Sequence, residues 1–263
     1  METDGGMITV ATWNVNSIKV RIETVLAWLK AKEPDVLLLQ ELKCQEEGFP
    51  RLEFEAAGYG AAVVGQKSYN GVAVLSKHPA ETVAERLPGD DDDDQARYLE
   101  VETAGIRVAS IYLPNGNPVD SEKFPYKLSW MDRLAEHAAG LLASERAIVL
   151  GGDYNVIPAA ADCYDPAAWA NDALYRLETR QRFRRLINQG WTEAFRALHP
   201  GLRRYSFWDY QGGAWQNDLG IRIDHLLLSP QAADRLQSCE IDREPRGKKK
   251  ASDHTPVLCT LTA

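Results

Sequence analysis

The sequence contains few cysteines and no closely spaced pair of them. Its 263 residues include four, at positions 44, 163, 239 and 259. This spacing argues against a disulfide-stapled secreted scaffold and against a zinc site built from neighbouring thiols. A chain of this length can bury a large core without disulfides. We therefore expect four free thiols in a reducing cytoplasm.

Long apolar runs are absent as well. Runs such as residues 36–39 are far too short to span a bilayer. The first seven residues are polar and acidic, unlike a secretory signal. We expect a soluble cytoplasmic protein with one domain at residues 7–263, preceded by a disordered tail at residues 1–6.

Positive charge is in the minority. There are 30 Lys and Arg residues against 38 Asp and Glu residues, for a net charge of −8. This balance argues against a protein that coats nucleic acid, which needs a broad positive surface to displace counterions. An enzyme with a cation in an acidic pocket and a few basic contacts to phosphate stays possible. Basic residues cluster at 180–185, 203–204 and 246–250. For the first cluster, a solvated helix face and a DNA contact are equally good interpretations.

Short apolar segments of β type dominate the chain. They span residues 8–15, 35–40, 61–64, 71–76, 98–103, 107–113, 147–153, 222–228 and 256–262. Residues 20–32, 127–142 and 178–189 have the apolar stripe of a surface helix. This many strands would exceed one comfortable sheet. The pattern predicts layered α/β packing with two packed sheets and helices outside.

Acids and amides stand where several of these strands begin or end. They are Asn14, Glu41, Asp153 with Asn155, Asp224, and Asp253 with His254. A carboxylate beside apolar strand residues costs free energy to bury unless it meets a cation or hydrogen-bond donors. Oxygen ligands of this kind suit Mg²⁺ or Mn²⁺. A metal that neutralises phosphate charge and an activated water are the requirements of phosphodiester hydrolysis.

Five motifs follow one another in a recognisable order. They are residues 39–43 (Leu-Gln-Glu-Leu-Lys), 112–116 (Tyr-Leu-Pro-Asn-Gly), 152–155 (Gly-Asp-Tyr-Asn), 222–224 (Arg-Ile-Asp) and 252–256 (Ser-Asp-His-Thr-Pro). From Asn14 to Pro256, nearly the whole chain, they resemble the exonuclease III family of abasic-site endonucleases. That family lies within the wider endonuclease/exonuclease/phosphatase superfamily. The order and separations make a chance match very unlikely.

The resemblance implies a fold and an activity. The fold is a four-layered α/β sandwich, in which two packed mixed β-sheets are flanked by helices. The activity is that of a divalent-metal-dependent hydrolase of base excision repair, with Mg²⁺ as cofactor and Mn²⁺ as a substitute. The partner is double-stranded DNA with abasic sites or blocked 3′ ends, and a monomer suffices. We expect incision 5′ to abasic sites, with 3′–5′ exonuclease and 3′-end-cleaning activity.

The resemblance also implies roles for the strand-end residues. Glu41 is the principal metal ligand, with Asp253 nearby and Asn14 helping to hold the site. Asp153 positions or activates the attacking water, and Asn155 grips a phosphate oxygen; both lie close enough to the metal to join its ligand set. Asp224 orients His254, which contacts the scissile phosphate beside the metal. Tyr112 supplies a phenol near the same phosphate.

Substrate contacts are implied in two regions. Lys43 contacts a phosphate, and Asn115 lies in a phosphate-binding loop. A second group forms or adjoins a small pocket for the flipped, base-free sugar; it comprises Phe207, Trp208, Ile221, Arg222 and Ile223. Many relatives carry Trp where this chain has Ile221, which replaces a flat stacking surface with an aliphatic one. The stringency of the pocket therefore stays open.

Two alternatives remain open at this stage. One is a superfamily phosphodiesterase acting on lipid or inositol phosphates, which would share the metal motifs but would not need the Phe207–Trp208 pocket. The other is a DNA-binding module without catalysis. The intact set of acids argues against the second, because an abandoned site has no reason to keep carboxylates that are costly to bury.

Overall fold

The computed structural model describes residues 6–263 of the chain. The strands are β1 (Met7–Asn14), β2 (Val36–Gln40), β3 (Gly60–Val64), β4 (Val72–Ser76), β5 (Ala80–Ala84), β6 (Tyr98–Thr103), β7 (Ile106–Tyr112), β8 (Ile148–Asp153), β9 (Thr192–Glu193), β10 (Asp224–Leu228), β11 (Leu236–Ile241) and β12 (Val257–Thr262). The α-helices are α1 (Ile18–Lys32), α2 (Arg51–Ala56), α3 (Lys123–Leu142), α4 (Leu177–Gln189), α5 (Ala194–Leu198) and α6 (Pro230–Ala233).

The predicted four-layered α/β sandwich is confirmed. One six-stranded sheet has the order β11-β12-β1-β2-β4-β3, and the other has the order β5-β6-β7-β8-β10-β9. Each sheet contains one parallel pair, β1 with β2 and β7 with β8. Parallel neighbours need a crossover connection, which α1 and α3 provide. Every predicted strand and helix is present, with small shifts at the ends.

The core has three layers, because successive side chains of a strand point to opposite faces of its sheet. In β2, Val36 and Leu38 face the other sheet, whereas Leu37 and Leu39 face α1. A third cluster packs α3 and α4 against the outer face of the second sheet, with Trp130 among its members. Burial on both faces explains why the central strands are continuously apolar.

Two glycines in β8 allow a close approach between neighbouring elements. A Cβ on Gly152 would lie 1.9 Å from the carbonyl oxygen of Ile111, and one on Gly151 would lie 2.6 Å from Cδ1 of Leu38. Any side chain at Gly152 would therefore push β7 and β8 apart. The Gly-Gly pair lets β8 run through the centre of the sandwich and end at Asp153.

The two ends of the described chain lie beside each other, next to the neighbouring strands β1 and β12. The carbonyl of Gly6 accepts a hydrogen bond from the amide of Ala263 at 2.7 Å, so Gly6 is ordered although the predicted tail included it. The rest of that predicted tail, residues 1–5, lies outside the described part of the chain. Within residues 6–263, no helix has the length and apolar character needed to cross a bilayer.

Candidate active site

The polar strand ends meet at one edge of the sandwich. The parallel pairs carry Asn14 and Glu41 from the first sheet, and Tyr112 and Asp153 from the second, to the same edge. Asp224 pairs with Asp153 across antiparallel strands. His254 joins them, just before β12. We call these six residues, Asn14, Glu41, Tyr112, Asp153, Asp224 and His254, the strand-end cluster.

Asn14 links the two sheets within this cluster. Its Nδ2 donates to Oε2 of Glu41 and to Oδ2 of Asp153, each at 2.9 Å. The Tyr112 hydroxyl donates to the same Glu41 oxygen at 3.2 Å. Burial, with the charges of Glu41 and Asp153, raises the pKa of Tyr112 well above its ordinary value. Tyr112 is therefore a neutral phenol that can donate a hydrogen bond.

Asp153, Asp224 and His254 form a buried charged triad. Nδ1 of His254 lies 2.8 Å from Oδ2 of Asp224, and its Nε2 lies 3.6 Å from Oδ2 of Asp153. Burial alone would lower the pKa of His254, but the two carboxylates outweigh it and raise that pKa to about 10. Burial raises the pKa of Asp153 to about 7, against the opposing charge of His254. The triad thus offers an imidazolium beside a carboxyl group that titrates near neutrality.

Carboxylate oxygens in and beside the triad, rather than its imidazole, fit a hard divalent cation. Asp153, Asp224 and His254 each offer an atom within 4.8 Å of the other two. The imidazolium, however, has no free lone pair for a metal, because Asp224 occupies its Nδ1 side and the raised pKa keeps Nε2 protonated. We therefore favour the carboxylate oxygens of Glu41 and Asp253 as ligands and disfavour His254. Both acids are partly exposed.

Asn16 belongs to the same region, although the sequence reasoning did not include it. Its Nδ2 donates to Oδ1 of Asp253 at 3.1 Å, and its Oδ1 accepts from Lys43 at 2.6 Å. Lys43 also lies 2.8 Å from Oε1 of Glu41. The sequence offered one indication of this role, because Asn16 follows Asn14 by two residues at the end of β1. Asn16, Glu41 and Lys43 all have positive φ angles, of 44°, 57° and 55°, a strain that the surrounding contacts must hold.

Two loops beyond β7 and β8 bring a pair of amides beside Asp153. The Asn155 amide N–H donates to Oδ1 of Asp153 at 2.9 Å, and its Nδ2 donates to the Leu113 carbonyl at 2.9 Å. Nδ2 of Asn115 donates to Oδ1 of Asn155 at 3.1 Å. Because Oδ1 of Asn155 already accepts from Asn115 and Nδ2 keeps a second N–H, the side chain is better suited to a phosphate oxygen than to a metal.

Two of the predicted substrate contacts are wrong. Arg222 is 1% exposed, and its guanidinium lies 2.8 Å from both Asp162 and Glu193. A guanidinium that is buried and paired in this way has no face left for a DNA phosphate. Trp208 is 0% exposed, and its indole N–H donates to Asp218 at 3.0 Å. Both residues support the site from inside the fold.

The predicted sugar pocket also requires correction. Ile221 and Ile223 are 0% and 2% exposed. They pack in an apolar cluster with Phe124, Ile157, Cys163, Ala173 and Leu174, and Phe207 packs against the same cluster. The backbone of Phe207 pairs with both Ile221 and His254, and its ring meets the His254 ring edge-on at 5.0 Å between centroids. Phe207 alone of the three predicted walls has exposed surface beside the strand-end cluster.

The basic run at 246–250 divides between the interior and the surface. Arg246 is mostly buried; it donates to the Trp208 carbonyl at 2.9 Å and stacks over the rings of Tyr210 and Trp215. Lys248, Lys249 and Lys250 are exposed. These three, immediately before the loop that carries Asp253 and His254, are the part of the run available to phosphates.

Known proteins resemble this chain over almost its full length. The sequence matches the Endonuclease/Exonuclease/phosphatase family over residues 11–254. Exodeoxyribonuclease III of Haemophilus influenzae is 30% identical over 258 residues, which cover 94% of this chain and 97% of that protein. An AP endonuclease from Archaeoglobus fulgidus is 35% identical in sequence, with a TM-score of 0.94. The 3′ phosphatase NExo from Neisseria, bound to a product DNA hairpin, is 38% identical, also with a TM-score of 0.94.

Both structural alignments cover 97% of this chain and 100% of the other chain. The resemblance drawn from the five motifs is thereby confirmed, and it extends from the strand-end cluster to the whole sandwich. The chain belongs to the Endonuclease/Exonuclease/phosphatase family and, within it, to the exonuclease III and AP endonuclease group.

Proposed function

We propose that this chain is a DNA repair hydrolase that uses Mg²⁺, with Mn²⁺ as a substitute. It incises DNA 5′ to abasic sites and removes nucleotides and blocking groups from 3′ ends. The observation that carries the proposal is the buried triad, in which the imidazolium of His254 lies 3.6 Å from the carboxylate of Asp153. Relatives described as exodeoxyribonuclease, AP endonuclease and 3′ phosphatase support a DNA substrate.

The geometry suggests a separate catalytic role for each residue. Asp153 accepts a proton from the attacking water, because a carboxyl group with a pKa of about 7 suits a general base at neutral pH. His254 donates a hydrogen bond to a non-bridging phosphate oxygen and stabilises its developing charge. Tyr112 donates to the same phosphate. When held by Glu41 and Asp253, a divalent cation supplies further charge neutralisation. Cleavage of the bond to the 3′ oxygen leaves a 3′-hydroxyl and a 5′-phosphate.

The closed surroundings of Ile221 favour 3′ ends over abasic sites. A flipped sugar must enter beside Phe207, and the two other predicted walls are fully buried. A 3′-phosphate at a nick reaches the site without any flipping, whereas an abasic sugar inside a duplex must still turn out of the helix. We expect kcat/KM to be about tenfold higher for a 3′-phosphate at a nick than for an internal abasic site, a difference of about 1.4 kcal/mol.

A side-by-side rate comparison on nicked 3′-phosphate, abasic and intact duplexes tests this preference. Inositol phosphates and sphingomyelin serve as substrates for the lipid alternative. Faster cleavage of the abasic duplex would refute the preference but not the nuclease proposal. Turnover of the lipid substrates alone would refute the nuclease proposal itself. Binding of all three duplexes without any metal-dependent turnover would favour the non-catalytic module.

Two further parts of the proposal concern cellular location and oligomeric state. All four cysteines are buried and unpaired, which is typical of a reducing compartment and supports a cytoplasmic location. The second part is activity as a monomer, which the family resemblance implies.

A further inference from the structure

A buried lysine lies directly behind the strand-end cluster. Lys127, in the second turn of α3, is 0% exposed. Its Nζ donates to the carbonyl of Asn155 at 2.6 Å and to the carbonyl of Asn115 at 3.0 Å. Lysine is almost never fully buried without partners. Here the partners are backbone carbonyls of the two loops that carry the active-site amides.

The contacts of Lys127 continue to the catalytic carboxylate. Asn155, whose carbonyl accepts from Lys127, uses its own N–H to hold Oδ1 of Asp153 at 2.9 Å. Its side-chain oxygen accepts from Asn115, whose carbonyl is the second acceptor of Lys127. Lys127, Asn115 and Asn155 thus form a closed ring of hydrogen bonds, and Asp153 is attached to that ring at one point.

The loop around Lys127 is shaped to the lysine side chain. Gly116 has a φ of 88°, and a Cβ there would lie 2.6 Å from Cδ of Lys127. The loop therefore wraps closely over the aliphatic stem. Asn155 also has a positive φ, of 47°, a conformation that needs support from its surroundings. The hydrogen bond from Lys127 to the Asn155 carbonyl provides such support.

We propose that Lys127 is a positioning residue that holds Asn115 and Asn155 at a fixed separation, so that both amides and Asp153 meet the phosphate together. The inference rests on the proposed function, since it assigns the two amides to the phosphate. It does not depend on the charge of Lys127, because the neutral amine still has the two N–H groups that the two carbonyls require.

A double-mutant cycle tests the proposal. Lys127→Met keeps the length of the side chain and removes both hydrogen bonds; it should lower kcat about 30- to 100-fold with little change in KM, since a misplacement of about 1 Å costs that much. In an Asn115→Ala/Asn155→Ala background, which removes the two side-chain amides that Lys127 positions, the same change should lower kcat clearly less than in the wild type, because only the contact to Asp153 through the Asn155 backbone N–H remains. Lys123→Met, at an exposed position of α3, is the matched control and should change neither constant.

If Lys127→Met lowered kcat by the same factor in both backgrounds, the proposal would be contradicted. A lysine that only stabilises the fold would give that result. Hydrogen exchange followed by mass spectrometry gives a readout that needs no activity. Lys127→Met should speed exchange in residues 113–117 and 153–157 and leave the central strands unchanged. Unchanged exchange in both loops would overturn the proposal even if the wild-type protein proved not to cleave DNA. If Lys127→Met does not fold, Lys127→Gln, which keeps one donor group, takes its place. The same rate cycle and the same hydrogen-exchange measurement then test the proposal.

Discussion

Replacing Asp153 with asparagine is expected to lower kcat for DNA cleavage by about 10³-fold or more, within the range for loss of a positioned general base. Asparagine keeps the size of the side chain, but it has one oxygen for two donors that contact separate oxygens, Asn14 Nδ2 at Oδ2 and the Asn155 N–H at Oδ1, and it cannot take the proton of the attacking water. Single-turnover cleavage at saturating Mg²⁺ measures the loss. Asp132→Asn, on the outer side of α3, is the control and should leave kcat unchanged.

The same variant should have a stability close to that of the wild type. Burial raises the pKa of Asp153 to about 7 in the folded protein, above the usual value near 3.9 of an unfolded chain. Between these values the folded state binds a proton that the unfolded state does not, so this group makes stability fall as pH rises. Asparagine removes that penalty. The loss of one buried hydrogen bond and of the His254 contact opposes this gain, so the unfolding midpoint at about pH 8 should change little. A large decrease would show that the lost activity reflects misfolding.

Replacing Asp224 with asparagine should lower kcat about 10²-fold near pH 8 and change its pH dependence. Asp224 is the nearer of the two carboxylates that raise the pKa of His254 to about 10. A raised pKa keeps the imidazole charged through neutral and mildly alkaline pH. Without Asp224 the pKa should fall, and the imidazolium should be lost at a lower pH. The alkaline decline of activity should then move to lower pH in the variant.

Rate profiles from pH 6 to about pH 11 measure this shift. The control is Glu100→Gln, because Glu100 forms a comparable pair with His137 at 2.8 Å, outside the strand-end cluster. That change should leave the profile in place. An alkaline decline at the same pH in wild type and Asp224→Asn would mean that His254 does not act as a cation.

The sequence predicted the buried strands better than the exposed ones. All nine predicted strands were buried or half-buried segments with strong apolar patterns. The sequence missed the strands β5, β9 and β11, and all three lie at sheet edges. In β5, four of the five residues are exposed. A strand of this kind needs no apolar face, so its sequence does not differ from that of a loop.

Motif order placed the strand-end cluster correctly but could not reveal which side chains are buried. Arg222 precedes Asp224 by two residues, yet its partners Asp162 and Glu193 lie 60 and 29 positions away in the chain. Such long-range pairing leaves no local pattern. Lys127 was similarly hidden inside a predicted surface helix, where a lysine usually faces solvent.

The most direct measurement is cleavage of an abasic-site duplex in water labelled with oxygen-18. The predicted result is a Mg²⁺-dependent cut that EDTA stops, with a 3′-hydroxyl on one product and one labelled oxygen in the 5′-phosphate of the other. That pattern requires attack by water on phosphorus. An unlabelled phosphate, an unsaturated aldehyde at the 3′ end, or cleavage that continues in EDTA would contradict metal-dependent hydrolysis at the strand-end cluster.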